Sequence, residues 1–362
     1  MIRQTIIVSS LLALSLGTHK KHPPPEASPA PVAPQVTTVA GLPVPPGLED
    51  RVEFWTRVFS ETPSSRTLVY HRDHPEIIYS TIQFEWLDAL SSQLGSEAEE
   101  QLRQRREAEV AGKYQKLLSR LARLEQEPAG LRNLPESDPD YYRLCCLRRL
   151  LKALPERDPF AAAAAPGMIR VQRGQADEFD RVFRRKRGRL PALEGIFRKE
   201  GVPPALTRLV FVESRFQADA VSSAGAVGLW QLMPETGGRY LTVSEEKDER
   251  LDPVASTRAA ARFLRGNFVR LGNWPLAVTA YHTGTSRMKL AKQALGTGNL
   301  ARIIAAYNDP GFGVVGQNFY AELLGILNAE QALGRAQEAA ARPPTAPTLS
   351  TAPRFSRTFM MD

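Results

Sequence analysis

Glu213 ends a helical run in which Leu206, Leu209, Val210 and Val212 give it buried flanks. A carboxyl group placed there is removed from water and stands at the negative end of a helix. Both effects favour its protonated form. A carboxylic acid that keeps its proton near neutral pH can protonate a glycosidic oxygen. Pro203 and Pro204 pre-set the backbone of the first turn of this helix. The bland alternative is a helix-end carboxylate paired with Arg215.

The segment that follows has types suited to a sugar. Ser222, Gly225 and Gly228 predict a turn, and Gly228 lets a ligand or another backbone approach closely. Trp230 offers a flat face for a pyranose, with core packing as the alternative. Gln231 carries both a donor and an acceptor for hydroxyl or acetamido groups. Further on, Leu276 to Gly284 reads as a helix ending in an aromatic hydroxyl, an imidazole and a terminating glycine: Tyr281, His282 and Gly284. Tyr281 is placed to bond the acid or the sugar.

Taken together, these residues resemble the catalytic domain of family 1 lytic transglycosylases, from about Leu190 to Leu327. The shared pattern is Glu213-Ser214 and Phe216, then Ser222, Gly225-Ala226, Gly228-Leu229-Trp230-Gln231, then Ala280-Tyr281 and Gly284. Trp230 and the Val254-Ala-Ser-Thr257 stretch resemble the membrane-bound murein transglycosylase D branch. The resemblance implies a lysozyme-like fold and cleavage of the β-1,4 bond between N-acetylmuramic acid and N-acetylglucosamine. It implies Glu213 as the single acid/base and a 1,6-anhydro product. Ser214, Ser222, Gly228, Trp230, Gln231, Tyr281 and His282 are then the expected substrate-binding set. Two departures stand out. His282 replaces the family's Asn, and Val314 to Tyr320 lacks the family's late supporting carboxylate. Asp219, Asp248 and Asp252 read as loop or cap residues rather than a second catalytic acid.

These residues need a scaffold, and most of the 362-residue chain reads as helix. The expected fold class is mainly α: a lysozyme-like catalytic domain over 168–333, preceded by a helical N-terminal domain over 48–157. Val52, Phe54, Trp55, Val58 and Phe59 have helical spacing, Glu97 to Glu125 predicts a long charged helix, and Thr67 to Tyr70 is a brief strand-like run. A shift at Asp158-Pro159, five alanines and Pro166-Gly167 marks the expected boundary. Residues 22–47 are proline-rich and predict an extended linker, and 342–362 predict a disordered tail.

Residues 1–21 have a signal-peptide pattern, Arg3 followed by the apolar run Ile6 to Leu16. Export to the periplasm is expected, with no lipid-anchor cysteine. The net charge of +8 could suit nucleic acid, but its densest cluster, Arg184 to Arg187 with Arg181 and Arg189, reads as a solvated helical face. No nucleic-acid partner is expected; peptidoglycan strands are, and an envelope protein is a candidate partner of the N-terminal domain. The adjacent Cys145 and Cys146 form neither a disulfide framework nor a metal site. No metal or other cofactor is expected. His71-Arg72-Asp73-His74 reads as a solvated loop rather than a kinase or metal motif. Two other functions stay open: a lysozyme-type hydrolase and a non-catalytic wall-binding scaffold.

Overall fold

The structure, a computed structural model, describes residues 37–89 and 95–341. The expected signal peptide, the linker up to residue 36 and the tail 342–362 lie outside the described residues. A hairpin of β1 (Thr38–Val39) and β2 (Leu42–Pro43) leads into α1 (Glu49–Ser60). Then come β3 (Arg66–His71), β4 (Ile78–Gln83), α2 (Glu85–Asp88), α3 (Ser96–Gln126), α4 (Tyr141–Leu151), α5 (Pro159–Ala164) and β5 (Ile169–Arg173). The rest is helical: α6 (Ala176–Lys186), α7 (Leu190–Lys199), α8 (Leu209–Ser214), α9 (Pro234–Gly237) and α10 (Pro253–Leu271). It continues with α11 (Trp274–Thr283), α12 (Thr285–Leu295), α13 (Leu300–Ala306) and α14 (Val314–Ala341). The protein is mainly α, as its helical periodicities predict.

Three departures from the sequence reading have clear physical causes. First, β3 is the centre of a three-stranded antiparallel sheet, ordered β4-β3-β5, so the region before residue 158 is not purely helical. Alternate residues of β3 point to opposite faces. Leu68 and Tyr70 enter one core with α1 and the later helices, while Val69 enters a second with α3, α4 and β4.

Second, no clean boundary falls between 48–157 and 168–333. α1 packs along α14 in the first core. Gly325 makes that approach possible, because a Cβ there would stand 2.6 Å from the backbone carbonyl carbon of Trp55. The buried Asn318 Oδ1 accepts from Arg51 Nη1 at 3.1 Å and from Trp55 Nε1 at 3.3 Å, tying α1 to α14 by polar contacts too.

Third, residues 37–47 are not a tether. Leu42 is fully buried and Val44 nearly so, and Tyr320 donates a hydrogen bond to the Pro43 carbonyl at 2.7 Å. The basic cluster at 184–189 is a largely exposed surface, with Arg184 paired to Asp180 and Arg187 donating to Gln337. Among the described residues no helix is long and apolar enough to cross a membrane.

Candidate active site

The acid helix is short and stops abruptly. A 3-10 turn, Pro204–Arg208, enters α8, and the chain leaves it through Arg215 at φ 49° and Phe216 at φ 63°. Both are in the left-handed region, which costs a bulky residue of order 1–3 kcal/mol. The Phe216 amide bonds back to the Val210 carbonyl at 2.9 Å, and the buried Phe216 ring lies 5.4 Å from Phe211. Packing therefore holds the strained exit, and the exit sets the direction of Glu213. Arg215 turns away to Glu178 at 3.1 Å, so it is not the partner of Glu213.

Glu213 is half-buried by surface, yet crowded by protein atoms on its other sides. Burial is the main cause that pushes its carboxyl up to about 8, and the charge of Glu322 adds to it. Burial likewise pushes Glu322 up to about 8. Among the described residues neither side chain has a hydrogen bond or an ion pair. The stretch Val314 to Tyr320 holds no acid, and Glu322 stands two residues beyond it. A signal was present, an acid within the apolar run Phe319 to Leu327, the same pattern that marks Glu213.

Ser214 is buried and does not face a ligand. Its Oγ lies 2.9 Å from the Leu229 carbonyl and 3.2 Å from the Val210 carbonyl, which share its one proton, and it accepts from the Gln217 amide at 3.2 Å. It fastens the acid helix to the glycine turn. In that turn the Ser222 Oγ accepts from the Ala226 amide at 2.9 Å. Gly228 has φ 80°, and a Cβ there would lie 2.2 Å from the Arg250 carbonyl oxygen. The buried Arg250 guanidinium donates to the Gly225 carbonyl at 3.1 Å and to the Leu232 carbonyl at 3.0 Å. Asp248 holds Arg250 in place, and their hydrogen bonds keep the Asp248 carboxyl below its usual range. Asp252 caps α10, and Asp219 is an exposed loop residue.

Trp230 is fully buried, so no face of its indole is open to a sugar. It stacks on Phe197 at 5.1 Å and donates from Nε1 to Thr257 Oγ1 at 2.9 Å. The residue is core. The apolar surface on this turn comes instead from Val221, 70% exposed, and Met233, 42% exposed. Gln231, at φ 44°, donates from Nε2 to the Gly228 carbonyl at 2.9 Å and the Ala220 carbonyl at 3.1 Å. Its side-chain oxygen stays available as an acceptor.

Tyr281 on α11 donates to the Trp230 carbonyl at 2.7 Å. Burial and the nearby Glu213 charge both push its phenol well above the usual value. The structure therefore brings Tyr281 to Glu213 and to the turn at once. His282 is exposed on one side and stacks on Phe319 at 5.1 Å on the other. Burial of that packed side lowers its pKa, so the ring is neutral at neutral pH.

The His71 to His74 segment is not a solvated loop. His71 is buried, with Nδ1 accepting from the amides of Asp73 at 3.2 Å and His74 at 3.1 Å. Hydrogen bonds to Glu76 and Glu156 push His74 up to about 9. A polar cleft of 540 Å³ beside it is lined by Arg51, Arg72, His74, Glu156 and Gln317, and Glu213 does not line it. Among the described residues no group of three or more His, Cys, Asp or Glu is arranged to hold a metal ion.

Residues 194–299 match the transglycosylase SLT domain. Glu213, the glycine turn, Tyr281 and His282 all lie inside that segment, and Glu322 lies beyond it. Over 101 residues, 27% of this chain, the sequence is 41% identical to the membrane-bound lytic murein transglycosylase D of Escherichia coli strain K12. The same values hold for that protein of an O6:H1 strain. The chain spans 22% of the length of these relatives. A lytic transglycosylase Slt from Pseudomonas aeruginosa, solved by X-ray as an inactive mutant, is 22% identical, with a TM-score of 0.32. That match covers 39% of this chain and 24% of the solved one.

Proposed function

We propose that this protein is a lytic transglycosylase of peptidoglycan, with Glu213 as acid and base. One observation carries the reading. Inside an SLT domain, a partly open carboxyl group with no ion-pair partner among the described residues keeps its proton at neutral pH. Glu213 gives that proton to the oxygen between N-acetylmuramic acid and N-acetylglucosamine, and the C1–O bond breaks. The C6 hydroxyl of the same muramyl residue bonds to C1 and returns its proton to Glu213. Water is not consumed, and the product carries a 1,6-anhydro ring.

The strained turn after α8 and the Ser214 bonds fix the acid, while Gln231 Oε1, Tyr281, His282 and Met233 border the sugar. The Ser222 and Gly228 turn shapes that border without touching substrate. Action on murein fits the names of the relatives; export is proposed from the signal-peptide pattern, and the sheet-bearing region within 48–157 is the surface offered to an envelope partner.

Glu322 favours a second reading, a lysozyme-type hydrolase. Paired carboxyls are the usual equipment for activating water. Mass spectrometry of digested wall separates the two: anhydro ends are one water lighter than reducing ends. Reducing ends alone would overturn the transglycosylase reading.

A further inference from the structure

We propose that the polar cleft at the start of α1 is a second binding site, which takes the zwitterionic end of a short peptide: Arg51 receives its carboxylate and Asp50 its ammonium. This rests on the proposed function only for the source of that peptide, the stem of peptidoglycan. The cleft holds 540 Å³, a volume in the usual range for a small ligand. The first residues of α1, the turn between β3 and β4, Glu156 and the loop after α13 wall it. Most charges in that wall are matched to one another. Arg72 holds Asp73 through two hydrogen bonds of 2.8 Å. His74 stands between Glu156 at 2.7 Å and Glu76 at 3.3 Å, and with these partners it keeps its proton. Two charges of the wall have no ion pair among the described residues, the Arg51 guanidinium and the Asp50 carboxylate.

Arg51 is only 7% exposed, and its partners are all neutral oxygens. Nη1 donates to Asn318 Oδ1 at 3.1 Å and to the Arg72 carbonyl at 3.5 Å, and Nη2 donates to the Asp73 carbonyl at 3.0 Å. A guanidinium has five N–H donors, so two remain for a carboxylate. A buried cation costs stability unless an anion reaches it. The bonds to α14 and to the β3–β4 turn hold the guanidinium plane still, which suits a planar carboxylate. Asp50 is the preceding residue of α1, exposed, with no hydrogen bond among the described residues. Burial and the charges of Glu76, Glu53 and Glu49 raise its carboxyl, and an ammonium beside it relieves that repulsion. The buried Oε2 of Glu156 is a further acceptor without a partner. A carboxylate and an ammonium held by consecutive residues are the two charges of an amino acid. The cleft is joined to the acid site through α14. Gln317 lines the cleft, and Phe319, within the same helical turn, is the ring on which His282 stacks. A peptide hanging from a sugar bordered by His282 therefore has the cleft one turn of α14 away.

The test is calorimetric titration of the full chain with N-acetyl-alanyl-γ-glutamyl-diaminopimelate, a stem with one free amine. Saturable binding is expected, about tenfold weaker when the carboxylates are amidated or the amine is acetylated. Arg51→Gln is expected to lose about tenfold in affinity, and the exposed Asp50→Asn, which spares the fold, to lose severalfold. Glu213→Gln is expected to bind as the wild type does. No saturable binding by the folded wild type, equal binding of the blocked peptides, or full affinity in a folded Asp50→Asn would overturn the proposal. The source is read from KM. A KM raised by Asp50→Asn on intact wall, and not on strands stripped of stems, puts the attached stem in the cleft. An unchanged KM on both, with peptide binding present, puts a released peptide there. Peptide binding without anhydro product refutes the function and leaves the cleft standing, whereas anhydro product without peptide binding refutes the cleft alone.

Discussion

Glu322 stands on α14, which packs against the α8 helix of Glu213, and its charge adds to the burial that raises the Glu213 carboxyl. This relationship has a cost in stability. Unfolded, each carboxyl releases its proton near 4.5, the ordinary glutamate value, while the folded protein keeps both protons to about 8. The folded state therefore binds more protons between those values, and its stability falls as pH rises through them. In urea unfolding, Glu322→Gln is expected to gain on the wild type by on the order of a few kcal/mol between about pH 5 and about pH 8.5. A gap that does not change with pH contradicts the raised Glu322 carboxyl.

Trp230 is expected to act on stability and not on glycan affinity. Trp230→Ala removes a buried ring and its bond to Thr257, a loss of about 3–5 kcal/mol. Trp230→Phe keeps most of the packing and is expected to leave KM unchanged. A raised KM in that variant, with stability intact, means the ring does touch sugar.

Gly228→Ala brings a methyl group against the Arg250 carbonyl and forces a left-handed backbone on alanine. A loss of about 1–3 kcal/mol in thermal unfolding is expected, with reduced activity from a displaced Gln231. Unchanged stability shows that the turn relaxes freely.

His282 is neutral at neutral pH, so its difference from Asn is one of shape. His282→Asn is expected to keep the wild-type pH profile above about pH 7. Its loss of stacking on Phe319 should appear as a small drop in melting temperature. A new or lost titration in that range would make the imidazole a proton carrier.

The acid was legible in the sequence because its chemistry is local: an apolar helix, a Glu at its end and a glycine turn. The long charged helix at 96–126 and the strand at 66–71 were legible from periodicity for the same reason. What escaped is tertiary. Trp230 reads equally as platform or core until Phe197 and Thr257 are seen against it. The hairpin at 38–43 hides behind prolines, because its burial depends on Tyr320 and the distant helices. Glu322 carries a local signal, an acid within the apolar run Phe319 to Leu327, but which helix α14 packs against is set by the tertiary fold.

The most direct measurement is the product profile of purified peptidoglycan treated with the wild type and with Glu213→Gln, read by mass spectrometry. Fragments with 1,6-anhydro ends are expected from the wild type, and none from Glu213→Gln. Equal release by the variant, or wild-type fragments with reducing ends alone, contradicts the role given to Glu213.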